Sequence, residues 1–380
     1  MLRAIKPFLS LFAGNYSLLW PASDRIIYPK PSASRLPESG NLHFQITLTQ
    51  EYASNMTQCI RVHETGDAHV MKWESTDLGD PGPSDIQIAH TAIGLNFIDV
   101  YFRTGTYPAP QMPFTPGLEG AGIVEKVGSE VTDLKEGDRV AYAATPLGAY
   151  AESRHIAADR VVRIPDGISD NVAAAMMLKG MTAQYLLRSS YRVKPSDTIL
   201  FHAAAGGVGL IACQWAKHLG ATVIGTVGSQ AKAELARQHG CDHPVLYNDE
   251  NFVERVMDIT AGKGVPVVYD SVGQTTFLSS LDCLQPRGTM VSFGQSSGKV
   301  DPFDIGALSA KGSLYLTRPT LFHYTATREE LDTCANELFD VVESGAVSIS
   351  VNQEYALSNA IGAHQDLENR QTIGSSVLIP

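Results

Sequence analysis

The feature that most constrains this 380-residue chain is a glycine-rich turn at residues 201–209, FHAAAGGVG. An apolar run precedes it and an amphipathic pattern follows, so the turn is predicted to join a buried strand to a helix. Compared with the dinucleotide-binding pattern GxGxxG, residues 204–209 have Ala204 in the first position, Gly206 in the middle and Gly209 in the last. The middle glycine lets the backbone approach a pyrophosphate, and the last lets helix and strand pack closely. The alternative is a turn that serves packing alone. Dinucleotide binding is favoured, and the predicted contacts are Ala204, Gly206, Gly207, Val208 and Gly209.

The end of the next predicted strand indicates which dinucleotide is bound. NAD-binding chains usually place an Asp or Glu about 20 residues after the turn, where it bonds the ribose 2′-hydroxyl. Here that position is Thr226, within the acid-free run TVIGTVGSQ at residues 222–230. No carboxylate repels a 2′-phosphate there, and Ser229 and Lys232 follow as a hydrogen-bond donor and a cation. The pattern favours NADP(H), although Lys232 could also be a solvated helix lysine.

Strand and helix patterns divide the chain into a β-rich region and a region in which strands alternate with helices. Short alternating runs between residues 57 and 144, broken by Pro and Gly, indicate a compact, barrel-like β domain. A helical stretch follows at 171–189. Apolar strands at 198–203, 221–227, 265–270 and 289–293 then alternate with helices at 208–219, 231–239 and 275–284, which is typical of a doubly wound parallel α/β sheet. The last predicted elements are a helix at 329–344 and a strand at 376–379.

Charge and cysteine content exclude several classes of protein. A net charge of -11 makes nucleic acid an unexpected partner, because the average surface repels phosphates. Five scattered cysteines fit neither a disulfide framework nor paired zinc ligands, so a reducing, cytoplasmic location is expected. The apolar stretch Phe8–Trp20 is too short to span a membrane. Residues 1–55 are interpreted as a disordered, processed or artefactual extension, and a transit peptide there would make the location organellar.

Six runs carry a resemblance to a known family: residues 94–108, 116–128, 178–188, 201–209, 268–273 and 292–298. They closely resemble quinone oxidoreductases, the zeta-crystallin-like branch of the medium-chain dehydrogenase/reductase superfamily, over about residues 56–380. The resemblance implies a GroES-like β-domain split around a Rossmann domain, and a homodimer. It places the first part of the GroES-like domain at 56–180, the NADPH-binding Rossmann domain at 181–311 and the return to the first domain at 312–380.

The resemblance also implies particular cofactor contacts. Lys232 and Tyr247 correspond to residues that hold the 2′-phosphate, and Arg370 to an arginine that reaches the cofactor. Lys179 and Thr182 flank the cofactor near the interdomain helix. The remaining contacts, Phe293, Gln295 and Ser296, correspond to a strand-end loop at the nicotinamide ribose, where Gln295 replaces a commoner Asn.

Zinc-dependent relatives have a His where this chain has Leu118, and a Cys where it has the segment 96–99, so no metal is expected. Without a Lewis acid, reduction of an activated carbonyl is easier than oxidation of a simple alcohol. The resemblance therefore implies transfer of hydride, or of single electrons, from NADPH to a quinone. Tyr101 and Tyr107 match flat walls and possible donors of the substrate cleft, and Asn96 matches an orienting amide. Packing alone is the alternative for either tyrosine.

Other functions stay open. Relatives on this fold also reduce α,β-unsaturated carbonyls, including enoyl thioesters, although the segment after Arg103 lacks the basic residues a CoA ester would need. A crystallin-like or RNA-binding protein that retains NADPH is the alternative from another class. Glu119 and Asp99 are interpreted as structural carboxylates. His63, His155, His202 and His218 are interpreted as packed or surface histidines.

Overall fold

The computed structural model describes residues 55–109 and 111–380, so the predictions for residues 1–54 lie outside it. The strands are β1 (Met56–Val62), β2 (Met71–Asp77), β3 (Asp85–Leu95), β4 (Glu119–Val127), β5 (Arg139–Ala143), β6 (Ser153–Ala157), β7 (Val162–Arg163), β8 (Thr198–Phe201), β9 (Thr222–Val227), β10 (His243–Leu246), β11 (Val265–Asp270), β12 (Leu284–Ser292), β13 (Tyr315–Thr317), β14 (Val351–Ala356) and β15 (Ser375–Ile379). The helices are α1 (Phe97–Arg103), α2 (Asp170–Tyr185), α3 (Gly207–His218), α4 (Gln230–Gln238), α5 (Phe252–Ile259), α6 (Phe277–Asp282), α7 (Gly306–Ala310), α8 (Leu321–Tyr324), α9 (Arg328–Glu343) and α10 (Ala360–Glu368).

The first sheet has seven strands in the order β14-β15-β3-β4-β5-β7, with β6 paired to β3. Its long central strand β3 pairs antiparallel with β4, β6 and β15. A separate hairpin of β1 and β2 adds to this domain, and its core is rich in buried Ile, Val and Ala side chains. The predicted GroES-like β-domain is confirmed, and its sheet is completed by strands from the C-terminal end of the chain.

The second sheet has six parallel strands in the order β10-β9-β8-β11-β12-β13. Strand order reverses between β8 and β11, and apolar residues of both strands are buried on each face. This is the predicted doubly wound Rossmann sheet. In such sheets a ligand binds in the crevice outside the carboxyl ends of the two strands at the reversal. The loops after β8 and β11 therefore mark the site.

Helix α2 lies between the two sheets. Ser169 caps its N-terminus by accepting the backbone N–H of Val172, and apolar or small side chains surround it on almost every side. It packs against β3, β4 and β5 of the first sheet, and against α3 and α9 of the second domain. Its neighbours on two sides hold the helix rigidly, so its polar residues can serve a site between the domains.

Several short elements differ from the sequence expectations. Strand β13 pairs with β12, so the chain re-enters the first sheet at Val351 and not near residue 312. The strand β10 and the helices α1 and α5 are not predicted by the sequence patterns. Pro244 explains the first of these, because proline within a strand pattern is typical of an edge strand and β10 is an edge strand. None of the described helices has the length and apolarity needed to cross a membrane.

Candidate active site

The glycine-rich turn forms the N-terminus of α3. Gly206 is the N-cap and has no side chain to occupy the first-turn N–H groups, which leaves them available to an anion. A Cβ on Gly209 would lie 2.4 Å from the carbonyl oxygen of Ala203, so only glycine lets α3 pack this closely on the end of β8. Ala203 has a φ of 55°, in the left-handed region, and so makes the tight turn. The geometry fits a pyrophosphate.

The predicted 2′-phosphate residues converge at the end of β9. Ser229 caps α4 by accepting the backbone N–H of Lys232 at 3.3 Å. The Lys232 ammonium donates to the carbonyl oxygen of Arg370 at 3.4 Å, which brings the C-terminal segment to this edge. Tyr247 is 44% exposed, and a Cβ on Gly228 would lie 2.6 Å from its hydroxyl. These residues form a polar, cationic surface with free side-chain donors, which fits a phosphate.

Thr226 occupies the position where an NAD-binding chain has its acid, and it does not face this surface. It is buried, and its hydroxyl lies 2.9 Å from Nδ1 of His202. His202 is itself buried, with Nε2 at 2.9 Å from the Ser280 hydroxyl, and desolvation lowers its pKa. The interpretation of His202 as a packed histidine agrees with these contacts.

Lys179 extends from α2 toward the glycine-rich turn. Its aliphatic stem lies so close to Gly207 that a Cβ there would be 2.8 Å from Cδ of the lysine. Its ammonium forms a buried ion pair with Glu119, with 3.2 Å between Nζ and Oε2. The same carboxylate accepts the side-chain amide of Asn96 at 2.7 Å and the backbone N–H of Leu178 at 2.6 Å. Thr182 follows Lys179 by three residues and so lies on the same face of α2.

An interdomain cleft of about 480 Å³ lies beside the loop after β12. Its lining residues are Phe97, Val100, Tyr101, Thr104, Thr106, Gln295, Ser296, Gly298, Lys299 and Glu368. Tyr101 accepts the backbone N–H of Gln295 at 3.2 Å, which joins the first domain to the predicted nicotinamide loop. Burial is the main cause that raises the pKa of the Tyr101 phenol to about 12. Phe293 lies deeper, 5.7 Å between its ring centre and that of Phe201.

Tyr107 packs behind Tyr101, with 5.0 Å between the ring centres. Its hydroxyl accepts a hydrogen bond from Arg318 at 3.0 Å, and the same guanidinium donates to the carbonyl oxygen of Ser292 at 2.8 Å. Arg318 follows the edge strand β13, which places it at the carboxyl edge of the parallel sheet. Sequence reasoning missed Arg318, because an arginine after a three-residue strand carries no local signal.

The structure therefore brings most predicted site residues to one edge of the Rossmann sheet, but of the three predicted cleft residues only Tyr101 lines the cleft, since Tyr107 packs behind it. Asn96 does not line the cleft and is buried against Glu119, so its role as an orienting amide near the nicotinamide stays a prediction. Glu119, interpreted from sequence as structural, is the centre of the network around Lys179. The sequence does carry an indication that Glu119 is important, because it is the only charged residue among the glycine and apolar residues at the start of β4.

Metal-binding side chains are sparse in this region. Leu118, at the position of the zinc ligand in the zinc-dependent relatives, is fully buried. Among residues 55–109 and 111–380, no three His, Cys, Asp or Glu side chains are grouped so that they could hold a metal ion. The five cysteines are buried and form no disulfide.

A split β-domain, a Rossmann sheet with an anion-binding turn, and a cleft between them define a dinucleotide-dependent oxidoreductase of the medium-chain dehydrogenase/reductase class. Two family models agree with this. The model described as "Alcohol dehydrogenase GroES-like domain" matches residues 82–193, and the one described as "Zinc-binding dehydrogenase" matches residues 207–338.

Within that class, the chain belongs to the quinone oxidoreductase family. It is 54% identical to a quinone oxidoreductase of Pseudomonas aeruginosa over 86% of this chain and 100% of the relative. It is 46% identical to a 2-haloacrylate reductase of a Burkholderia species over 86% of this chain and 99% of the relative. The crystal structure of Escherichia coli quinone oxidoreductase complexed with NADPH matches with a TM-score of 0.84 and 52% identity, covering 85% of this chain and 100% of that one.

Proposed function

We propose that this chain is an NADPH-dependent quinone reductase that catalyses NADPH + H⁺ + quinone → NADP⁺ + hydroquinone. The observation that carries the proposal is the position of the aromatic cleft. It borders the loop after β12, at the same sheet edge as the glycine-rich turn and the Lys232 surface. One edge thus offers a pyrophosphate turn, a 2′-phosphate surface and a flat-walled pocket for an acceptor.

The cofactor residues divide by the part of NADPH they would hold. The first-turn N–H groups of α3 would bind the pyrophosphate, and Lys179 would flank it. Ser229, Lys232, Tyr247 and Arg370 would hold the 2′-phosphate, and the loop of Phe293, Gln295 and Ser296 would hold the nicotinamide ribose. Bound NADPH would supply the hydride. The place of Lys179 in this division is supported by the close approach of its stem to Gly207, where a Cβ would lie 2.8 Å from Cδ of the lysine.

Tyr101 is the residue we assign to the acceptor. Because its oxygen already accepts the Gln295 N–H, its own hydroxyl hydrogen is free to donate into the cleft. A pKa near 12 keeps this phenol protonated at neutral pH, so it acts as a hydrogen-bond donor to a quinone oxygen and not as a base. Tyr107, held by Arg318, fixes the Tyr101 ring as a wall. Tyr101 thus orients a flat acceptor and stabilises the negative charge that develops on its oxygen, and Tyr107 acts on the acceptor only through Tyr101.

A reductase of α,β-unsaturated carbonyls is the second candidate, and the 2-haloacrylate reductase relative supports it. Lys299 lines the cleft and supplies a cation for an anionic substrate, which the sequence patterns did not indicate. Both reactions deliver hydride to a conjugated carbonyl system, so the two candidates share one site and differ in the acceptor.

Four finer properties are part of the proposal. Zinc independence is supported by Leu118, since an aliphatic side chain cannot coordinate a metal. A homodimer is supported by the edge strand β13, where Tyr315 is 62% and Leu316 38% exposed, as expected of a sheet edge that a second copy extends. Five thiols without a disulfide support the cytoplasm. The proposed domain order is the predicted one, with the Rossmann part extended beyond residue 311 to include β13.

The test is NADPH oxidation at 340 nm with 1,2- and 1,4-quinones, beside 2-haloacrylates and enones, and with NADH in place of NADPH. We expect quinone turnover with NADPH and weak activity with NADH. Lys232→Ala should raise the KM for NADPH about tenfold, which corresponds to roughly 1.4 kcal/mol, and leave the KM for NADH unchanged. Tight NADPH binding with turnover of enones alone would replace the quinone assignment with the second candidate.

The matched control is Lys263→Ala. Lys263 is also an exposed lysine of the Rossmann domain, but it lies just before β11, at the amino edge of the sheet. Its replacement removes the same charge away from the site, so the preference for NADPH should stay as in the wild type. An equal loss of preference in both variants would refute the 2′-phosphate assignment.

A further inference from the structure

A buried polar cluster lies on the inner face of α1, and apart from Glu368, which lines the cleft, its residues have no role in the assignments above. It consists of Asp99 and Arg103 on α1, Tyr150, and His364 and Glu368 on α10. The Tyr150 hydroxyl lies 3.0 Å from Oδ2 of Asp99 and 3.0 Å from Nε2 of His364. The Arg103 guanidinium donates to Glu368 at 2.7 Å. Apart from Glu368, which reaches the cleft, these side chains have no solvent exposure.

The hydrogen bonding of this cluster is incomplete. In the part of the chain that the structure describes, four buried side-chain polar atoms lack a partner, and all four belong to it: Oδ1 of Asp99, Nε and Nη1 of Arg103, and Nδ1 of His364. A buried unsatisfied polar atom typically costs about 1–3 kcal/mol, so such atoms rarely gather in a region that serves stability alone. Asp99 and Arg103 are also four residues apart on one helix, and therefore share a face.

The charges around Asp99 leave its carboxyl without a paired cation. Arg103 is paired with Glu368, and Lys179 on α2 is paired with Glu119 on β4. Asp99 is a third carboxyl, and its two partners are neutral, the backbone N–H of Asn96 and the hydroxyl of Tyr150.

Desolvation raises the pKa of Asp99 to about 7, and the negative charge of Glu119 raises it further. The hydrogen bonds from Asn96 and Tyr150 and the positive charge of Lys179 lower this pKa and so limit the rise. Desolvation, then Arg103, lowers the pKa of His364 to about 3, so this imidazole stays neutral.

Asp99 connects the cluster to the substrate wall. Its Oδ2 accepts the backbone N–H of Asn96 at 3.0 Å and so fixes the first turn of α1, the helix that carries Phe97 and Tyr101 into the cleft. A charged carboxylate at a helix N-terminus binds these N–H groups more strongly than a neutral acid does. Protonation of Asp99 therefore weakens the bond that fixes the first turn of α1.

We propose that Asp99 is a positioning residue whose charge, through its bond to the first turn of α1, sets the placement of α1 and so the affinity of the cleft for a quinone. The ionised form holds the tyrosine wall in place for binding, and the protonated form loosens it. The proposal rests on the proposed function for the identity of the acceptor. Asp99 has no contact with substrate, so the effect falls on KM and the quinone dissociation constant, with kcat nearly constant.

The test measures KM and kcat for a water-soluble 1,4-naphthoquinone, and its dissociation constant by calorimetry, from pH 5.5 to 8.5. In the wild type, KM and the dissociation constant should rise about three- to tenfold as pH falls through 7. Asp99→Asn should abolish this inflection. Tyr150→Phe removes a bond that favours the ionised form, so its inflection should move to higher pH. Asp80→Asn, at an exposed aspartate, should keep the wild-type profile.

The outcomes separate this proposal from the proposed function. Quinone binding with the predicted pH profile but without turnover overturns the reductase assignment and supports the role of Asp99. Turnover with a flat KM profile in the wild type, or an inflection that persists in Asp99→Asn, overturns the role of Asp99 and leaves the reductase assignment intact. An unchanged inflection in Tyr150→Phe also contradicts it, because a merely structural Tyr150 would alter stability without moving the midpoint.

Discussion

Glu119→Gln is expected to destabilise the protein strongly, because Glu119 is fully buried and neutralises a lysine whose side chain is only 7% exposed. Removing one partner of a buried ion pair leaves an uncompensated charge, which typically costs about 3–5 kcal/mol. Glutamine also brings an NH₂ group where Glu119 has only acceptors. That group must face either the N–H of Leu178 or the Asn96 and Lys179 donors, so at least one donor loses its acceptor.

The free energy of unfolding is measured by urea denaturation, followed by circular dichroism. Glu119→Gln should lose about 3–5 kcal/mol, and NADPH should bind more weakly because the Lys179 stem packs against Gly207 at the phosphate turn. The double variant Glu119→Gln, Lys179→Met removes the orphaned ammonium and should recover a large part of the stability, though not the cofactor affinity.

Glu234→Gln is the matched control, since Glu234 pairs with Arg237 on the surface of α4 and both side chains are at least half exposed. An exposed pair contributes about 0–1 kcal/mol, so this variant should unfold almost as the wild type does. The reasoning is refuted if Glu119→Gln costs no more than this control, or if Lys179→Met in the double variant restores nothing.

Three further outcomes follow from the geometry. Gly209→Ala should weaken NADPH binding at least tenfold in a fluorescence titration. The alanine Cβ must move about 1 Å away from the Ala203 carbonyl oxygen to reach an ordinary contact, which shifts the phosphate turn. Wild-type affinity in this variant would contradict the close packing. Arg318→Met should raise the KM for a quinone severalfold and leave NADPH affinity unchanged, because it releases Tyr107; an effect on NADPH alone would assign Arg318 to the cofactor. The native protein should react with Ellman's reagent at fewer than one thiol at pH 8, because the cysteines are buried and burial raises the pKa of Cys59, Cys283 and Cys334. In denaturant all five thiols should react.

The elements that sequence patterns predict well are those with a long, one-sided or continuous apolar signal. The turn at Gly206, the strand at 265–270 and the long helix α2 all depend on residues adjacent in sequence, and the structure confirms them. The edge strands β10 and β13 are short, and in β13 two of the three residues are exposed, so periodicity has nothing to detect.

In the site, too, features set by residues adjacent in sequence are predictable and features set by distant residues are not. The absence of an acid near Thr226 and the cation at Lys232 can be recognised from adjacent residues. The contact between Lys232 and Arg370 joins residues 138 positions apart and was not predicted; the family resemblance implied only that Arg370 reaches the cofactor. The ion pair of Glu119 with Lys179 and the cluster around Asp99 depend on how α1, α2 and α10 pack. No spacing rule along the chain encodes that packing.

The pairing of β15 with β3 has a consequence for biosynthesis. Leu95 lies opposite Ser376, so the central strand of the first sheet gains one of its neighbours only after almost the whole chain has left the ribosome. Until then the end of β3 at residues 93–95 has unpaired backbone groups on that side, and an exposed strand edge of this kind favours pairing with other chains. The Rossmann sheet, whose strands lie between residues 198 and 317, is complete earlier and is expected to fold first, serving as a template on which the split domain closes.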